Sequence, residues 1–173
     1  YRMYARFRPY HLIGAIGGFL TALTAIISLA VFTSYYISAE WVIIVNMLLI
    51  GSNGLIATYF FGAFSASRDS LIKVGSLIAG IGLGFNVLIS ILQMAGVYVF
   101  VLALLGALVM MAGVVIACIK FIMLFQRDAF VVVFCVFIFL GLLLSLFWTW
   151  ASLISGAGLG GLLIYFYVHN ITY

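Results

Sequence analysis

Ten charged residues divide this 173-residue chain into long uncharged segments. Hydrophobic residues make up 68% of the chain and charged residues only 6%, whereas soluble globular domains contain about 25% charged residues. An apolar helix of about 20 residues crosses a bilayer, and four uncharged segments exceed that length, at 9–39, 41–67, 74–119 and 129–173. The spacing of the charges therefore predicts a multi-pass integral membrane protein. The charged residues are Arg2, Arg6, Arg8, Glu40, Arg68, Asp69, Lys73, Lys120, Arg127 and Asp128.

The apolar runs predict an all-α integral membrane protein with six transmembrane helices. The last run is shorter, so a five-helix bundle is the alternative. A β-barrel is disfavoured because its strands alternate apolar and polar residues over about ten positions. The predicted organisation is a basic and aromatic juxtamembrane segment, 1–10, and one transmembrane domain, 11–173, with helices at about 11–38, 41–65, 71–94, 97–125, 129–151 and 156–173.

The charged connections recur along the chain. Arg8-Pro9, Arg68-Asp69 and Arg127-Asp128 begin successive units that are 60 and 59 residues apart. Each unit contains two predicted helices joined by a short connection. We therefore expect three antiparallel helical hairpins.

All seven basic residues fall on one side of the predicted membrane. Basic residues flank the cytoplasmic ends of transmembrane helices, so the N-terminus is expected on the cytoplasmic, matrix or stromal side. The connections on the other side carry one charge, Glu40. The basic side chains are also expected to contact anionic lipid headgroups or partner subunits, Lys120 by extending its side chain to the interface or by an ion pair with another subunit. They are Arg2, Arg6, Arg8, Arg68, Lys73, Lys120 and Arg127.

Tyrosine and tryptophan residues give a second indication of topology, because both concentrate at the two membrane interfaces. The expected outer set is Tyr35, Tyr36, Trp41, Tyr98, Trp148 and Trp150. The expected inner set is Tyr1, Tyr4, Tyr10, Tyr59, Tyr165, Tyr167 and Tyr173.

Small residues predict where the helices pack, because close approach in lipid depends on residues such as glycine and serine. Three GxxxG spacings occur, at Gly14–Gly18, Gly80–Gly84 and Gly156–Gly160. The first helix continues its small face through Thr21, Thr24 and Ser28, and the fifth has a similar row at Gly141, Ser145, Thr149 and Ser152. We expect these faces to be buried against protein.

Three asparagines are the candidate polar cluster within the membrane. Asn46, Asn53 and Asn86 have overlapping predicted depths, and the first two share a helix face. They form either interhelix hydrogen bonds or a site for an ion or small solute. Because no carboxylate is predicted at that depth, the structural interpretation is preferred.

The histidines and cysteines offer little further chemistry. His11 and His169 are expected near the inner surface and are the only candidate ligands for haem or a quinone, a weak alternative to having no cofactor and no metal. Cys118 and Cys135 lie at similar depth without a CxxC spacing, so we interpret them as small buried hydrophobic residues.

The short connections leave no room for a soluble domain, and no catalytic arrangement of side chains is found. We interpret the chain as a non-catalytic, accessory multi-pass subunit within or beside a larger membrane complex, for example a bioenergetic one. Its expected partners are lipids and other membrane subunits, in a hetero- or homo-oligomer, and not nucleic acid. The first alternative is a small oligomeric transporter or channel for an ion or small solute, and the second is a haem- or quinone-associated redox subunit.

Overall fold

The computed structural model describes residues 2–33 and 38–173, with the side chains of residues 2–6, 32 and 149 left out of the description. Within these ranges there are six α-helices and no β-strand, which confirms the predicted helical class. The helices are α1 (Arg2–Phe32), α2 (Ala39–Ala66), α3 (Ser70–Met94), α4 (Phe100–Leu124), α5 (Ala129–Ser145) and α6 (Ser152–His169), with a 3₁₀ turn at Thr149–Ala151.

Five of the described helices are long and apolar enough to span a membrane, namely α1 (from Phe7 to Val31), α2, α3, α4 and α6. The sequence indicated that the last helix would be the short one, but α5 is shorter, at 17 residues. The connection expected between the predicted helices 129–151 and 156–173 begins instead just after Ser145. Aromatic and β-branched residues at 147–150 have lower helix propensity than the preceding leucines, which favours a turn there.

The first helix also differs from its expected bounds. It begins at Arg2, so residues 2–10 form its first turns. Phe7 is fully buried, and the ring of Tyr10 packs directly on Gly62 of α2. Phe7 and Tyr10 therefore favour the extension of α1, because they bury apolar surface against the neighbouring helices.

The six helices form a closed ring. Each packs against its neighbours in the sequence, and α1 against α6 closes the circle. The α4–α5 contact is the least extensive of these, and helices on opposite sides of the ring do not approach closely in the described part of the chain. A ring of this kind leaves a central axis that side chains must either fill or line.

Glycines bring the backbones of α1 and α6 together. A Cβ added at Gly18 would lie 2.6 Å from the backbone nitrogen of Gly160 and 2.8 Å from the carbonyl oxygen of Gly156. Gly14 is similarly enclosed, by Leu163 and Tyr59. Two of the three GxxxG pairs thus lie at the contact that closes the ring. In the same way, Gly141 of α5 is packed against Ser155 of α6.

The third GxxxG pair is not a packing motif, and the expectation for Gly84 is wrong. Gly80 packs on the ring of Phe61, but a Cβ added at Gly84 would meet nothing within 4 Å. The close contact between α3 and α4 uses Gly82 and Gly113 instead. Gly84 lies only two residues after Gly82, which turns it to the opposite side of the helix.

Contacts between helix ends and between connections define one end of the ring. Arg8 lies over the ring of Tyr167, with 4.8 Å between its guanidinium carbon and the ring centroid, and Lys73 lies over Phe64 at 5.7 Å. The backbone N–H of Arg68 donates to the carbonyl oxygen of Tyr173. We call this end, which also holds Lys120 and Arg127, the basic end, and the opposite end, where α2 begins, the distal end.

Both aspartates of the basic end cap helices. Asp69 Oδ1 accepts hydrogen bonds from the backbone N–H groups of Leu71 and Ile72, at the start of α3, and Asp128 Oδ1 accepts one from Phe130, at the start of α5. An aspartate at the N-cap satisfies backbone donors that the helix leaves unpaired. The two Arg-Asp pairs of the sequence therefore mark helix starts.

Lys120 has a partner within the chain that the sequence did not predict. Its Nζ lies 3.4 Å from Asp69 Oδ2, so the two side chains form an intrachain ion pair, and the contact of Lys120 with headgroups or another subunit stays a prediction. The reason is the close packing of α3 on α4, which places the last turns of α4 beside the first turn of α3. Both side chains are about one-fifth exposed.

Replacing Asp69 should separate the cap from the ion pair. Asn is as good an N-cap as Asp, so Asp69→Asn should lose only the ion pair, under about 1 kcal/mol, and Asp69→Ala should lose about 1 kcal/mol more. Burial opposes ionisation of Asp69, but the N–H of Ile72, the Lys120 ammonium and the N–H of Leu71 together lower the pKa of its carboxyl group.

The stability that comes from ionised Asp69 should therefore be fully present above the ordinary carboxyl pKa and be lost as the pH falls through the lowered, folded-state pKa. Denaturation of the purified protein in detergent, at neutral and at acidic pH, measures both effects. Equal losses for the Asn and Ala variants would contradict the capping role.

Candidate functional site

The distal half of the ring contains a cavity of about 750 Å³. It extends from Ala39, at the start of α2, to Thr21, in the middle of α1. A volume of this size is within the range of about 300–1,000 Å³ that is typical of small-molecule sites. Its polar lining residues are Thr21, Thr24, Ser28, Asn46, Gln93, Ser145 and Ser152.

A smaller cavity of about 160 Å³ adjoins the first on the side of the basic end. Every one of the six helices contributes to its wall, so it lies on the axis of the ring. Thr21, Leu49, Ser145 and Ser152 line both cavities. The lining changes from hydroxyl and amide groups in the larger cavity to mainly apolar side chains in the smaller one, which include Ile56, Phe60, Leu83, Met110, Val114, Ile138, Leu142 and Leu159.

Several hydroxyl groups in these walls donate hydrogen bonds to backbone carbonyl oxygens of their own helices. Thr21 and Thr24 donate to the carbonyl oxygens of Gly17 and Leu20, at 3.0 and 2.7 Å. Ser145 and Ser155 donate to Leu142 and Ser152, at 2.7 and 3.1 Å. A hydroxyl that donates its hydrogen keeps its oxygen lone pairs as acceptors.

The amide of Asn46 follows the same rule. Its Nδ2 donates to the carbonyl oxygen of Val42, at 3.0 Å, which leaves the side-chain oxygen as an acceptor. No charged residue is among those that line either cavity. The described walls are therefore uncharged, with hydroxyl oxygens as acceptors and side-chain amides that can both donate and accept.

The three predicted asparagines do not form one cluster. Asn46 lines the larger cavity and Asn53 the smaller one, as expected for residues on one face of α2. Asn86 lines neither cavity and instead faces Gly106 of α4, where an added Cβ would lie 2.9 Å from its Oδ1. The predicted depths were similar, but depth alone does not specify which way a helix face turns.

The polar stripe on α1 both packs and lines the larger cavity. Thr24 is buried and Thr21 lies beside Gly156 of α6, as expected for a packing face, and both line the larger cavity together with Ser28. Ser145 also lines it, whereas residues 149–152, expected to continue the face of α5, belong to the 3₁₀ turn and to α6. The change from glycine to hydroxyl residues along α1 was the available signal, because glycines permit backbone contact and hydroxyl groups require a polar partner.

Aromatic side chains close the axis toward the basic end. The ring of Tyr173 lies against those of Phe7 and Phe121, with centroids 4.5 and 4.8 Å apart. The hydroxyl of Tyr173 lies 3.0 Å from His11 Nε2 and is also hydrogen-bonded to the hydroxyl of Tyr59. This aromatic cluster, completed by Phe166, separates the smaller cavity from the basic end.

Two tyrosines of this cluster, Tyr59 and Tyr173, were expected at the inner membrane level. They are buried among other side chains, with Tyr59 only 1% exposed and Tyr173 only 7%, and their membrane level stays a prediction. Tyr173 is buried because Asn170 adopts a left-handed conformation, with φ of 57°, and turns the chain back toward the ring. The expectations for Tyr1, Tyr35 and Tyr36 fall outside the described residues.

The two histidines have separate environments. His11 is buried in the aromatic cluster, whereas His169 is exposed and lies against Tyr165, with 4.2 Å between the ring centroids. His169 Nδ1 lies 3.1 Å from the carbonyl oxygen of Tyr165. The two imidazoles thus have different partners and do not form a paired ligand site. The hydroxyl of Tyr165 donates to Asp128, which ties α6 to the start of α5.

In comparisons with protein-family models, curated proteins and solved structures, we found no match to this chain. The central cavities and the aromatic cluster are therefore the features from which a function can be argued.

Proposed function

We propose that this chain is a small membrane transporter or channel that gives an uncharged polar solute a path along the axis of its helix ring. The main support is the pair of adjoining cavities on that axis, the smaller of which is lined by all six helices. Polar groups inside an otherwise apolar membrane bundle are energetically costly, and they therefore usually mark a functional site. This observation raises the transporter alternative above the accessory subunit.

The proposal includes the membrane topology. Five helices are long enough to span a bilayer, and α5 is at the lower limit of about 17 residues. In the proposed topology the helices form three antiparallel hairpins, and the basic end faces the cytoplasm, matrix or stroma. Arg68 and Arg127 are exposed at that end, where they can meet anionic headgroups.

The wall indicates the class of solute. Walls of hydroxyl oxygens and side-chain amides bind molecules that can both donate and accept hydrogen bonds, as water, urea and small polyols do. An ion would lose its hydration shell in a site that offers no opposite charge, which is unfavourable in a medium of low dielectric constant. The smaller cavity, at about 160 Å³, holds only a few water molecules, each with a share of about 30 Å³ in the liquid. The solute is therefore small.

Stopped-flow light scattering on proteoliposomes tests this function directly. After an osmotic step, vesicles containing the protein should take up urea or glycerol faster than protein-free vesicles of the same lipid. Potassium and chloride fluxes, followed with ion-sensitive dyes inside the vesicles, should stay at the protein-free level. Solute uptake no faster than in empty vesicles would reject the proposal, and selective ion flux would reject the uncharged class.

A second candidate is the accessory subunit expected from the sequence, which is supported by exposed aromatic residues at the start of α4 and just after α5. Phe100 and Phe147 are 79% and 75% exposed, and α4 and α5 make the weakest contact of the ring. Such a surface fits a lipid, a second copy or another membrane subunit. Purification from native membranes in a mild detergent separates these possibilities, because a stoichiometric complex with another subunit supports this candidate and a lone monomer rejects it.

A further inference from the structure

The chain re-enters the ring after α6. The backbone N–H of Asn170 and that of Ile171 both donate to the carbonyl oxygen of Phe166, which closes the end of the helix. Two residues later, the carbonyl oxygen of Tyr173 accepts from the N–H of Arg68, at 3.3 Å. Residues 170–173 therefore form a short strap that joins the end of α6 to the connection between α2 and α3.

Tyr173 carries this strap into the centre of the basic end. Its ring contacts Phe7 of α1, Phe121 of α4 and Phe166 of α6. Its hydroxyl is hydrogen-bonded to the hydroxyl of Tyr59 of α2. One side chain thus touches four of the six helices. Only a residue close to the axis of the ring can make contacts in so many directions.

The position of this side chain relative to the cavities is equally specific. Phe60, in the wall of the smaller cavity, directly follows Tyr59, and Leu159 of the same wall lies two turns before Phe166 on α6. The aromatic cluster therefore begins where the cavity ends. A solute that has reached the smaller cavity meets this cluster before it can leave at the basic end.

We propose that Tyr173 is the gate of the path, closing it at the basic end with its ring and holding itself closed by hydrogen bonds to His11 and Tyr59. This inference rests on the proposed function, because it assigns a regulator to the same axial path. Phe7, His11, Tyr59, Phe121 and Phe166 all belong to helices, so moving any of them would disturb the ring. Tyr173 belongs to the strap and can leave while the helices stay in place.

The hydrogen bonds suit a gate better than a permanent core. The two phenol hydroxyls and the imidazole are buried, so each needs a hydrogen-bond partner within the cluster. An apolar residue in place of Tyr173 would need no such partner. In the open state, water entering from the basic end can replace these bonds, so opening leaves no polar group unpaired. The closed state is thus stabilised without making the open state prohibitively costly.

Thiol labelling from the two sides of the membrane tests the gate without measuring transport. Asn53→Cys places a thiol in the smaller cavity, and iodoacetamide, a small uncharged thiol reagent, reports which side reaches it when it is added on one side of sealed vesicles with membrane-impermeant glutathione on the other side to consume any that crosses the lipid. Labelling from the distal side should occur with or without the gate. Labelling from the basic side should rise at least about tenfold when Tyr173→Ala is added, because a closed site reacts in proportion to the population of its open form.

Matched variants distinguish the possible outcomes. Tyr173→Phe, combined with Asn53→Cys, keeps the aromatic ring, so labelling from the basic side should stay slow. Tyr173→Ala without Asn53→Cys measures any labelling of the buried Cys118 and Cys135. Unchanged distal labelling in the Tyr173→Ala protein shows that it is folded. Equal basic-side rates for Asn53→Cys with and without Tyr173→Ala would overturn the gate, as would a Phe variant as fast as the Ala variant. Gated labelling in a protein that moves no solute would reject the proposed function and keep the gate.

Discussion

Gly113→Leu is expected to separate α3 from α4 and to lower the melting temperature of the protein by more than about 5 °C. Overpacking typically costs about 1–3 kcal/mol, and here the added side chain would clash with backbone atoms. A Cβ at Gly113 would lie 2.7 Å from both the Cα of Ala79 and the carbonyl oxygen of Gly75. Backbone atoms cannot rotate away as a side chain can, so the helices must move apart. Thermal unfolding of the purified variant in detergent measures the loss.

Gly84→Leu is the matched control, because it makes the same change in the partner helix at a site with nothing within 4 Å. Leucine has a higher helix propensity than glycine by several tenths of a kcal/mol, so this variant should be as stable as the parent or slightly more stable. A similar loss in both variants would show that the two glycines are equivalent, which would contradict the described α3–α4 packing.

The helical class was predictable from sequence because it depends on composition. Long apolar runs in a nearly uncharged chain cannot form another structure of that length, and glycines spaced four apart at Gly14–Gly18 and Gly156–Gly160 have the pattern of close contacts. The same GxxxG pattern failed at Gly84. A GxxxG motif indicates which face of a helix can pack closely. Which neighbouring helix packs there, if any, depends on how all six helices are arranged in the ring.

The cavity was harder to predict because its lining combines residues from distant parts of the chain. Asn46, Gln93 and Ser145 belong to three helices, and nothing in any one of those segments shows that they meet. The gate was harder still. Tyrosine is a residue type that is common at membrane interfaces, and it is the turn at Asn170 that carries Tyr173 back into the ring. Sequence periodicity describes helices and gives little information about such a reversal.

Ser145→Phe should block the path and reduce urea or glycerol uptake by at least about tenfold, equivalent to about 1.4 kcal/mol in the barrier. Ser145 lines both cavities, at the level where the larger one passes into the smaller one. A phenyl ring fits into the larger cavity, with its 750 Å³, without displacing a helix, so the variant should remain folded. Stopped-flow light scattering on proteoliposomes of equal protein content gives the uptake rate.

Two variants control for other effects of this change. Ser145→Ala removes the hydroxyl but not the space and should keep most of the uptake, because the remaining wall hydroxyl groups still offer acceptors. Thr58→Phe makes a similar increase in size on the exposed face of α2, where Thr58 bonds only to the carbonyl oxygen of Gly54, and should transport as the parent does. If Ser145→Phe were as active as Thr58→Phe, the solute would have to cross outside the central cavity, and the axial path would be wrong.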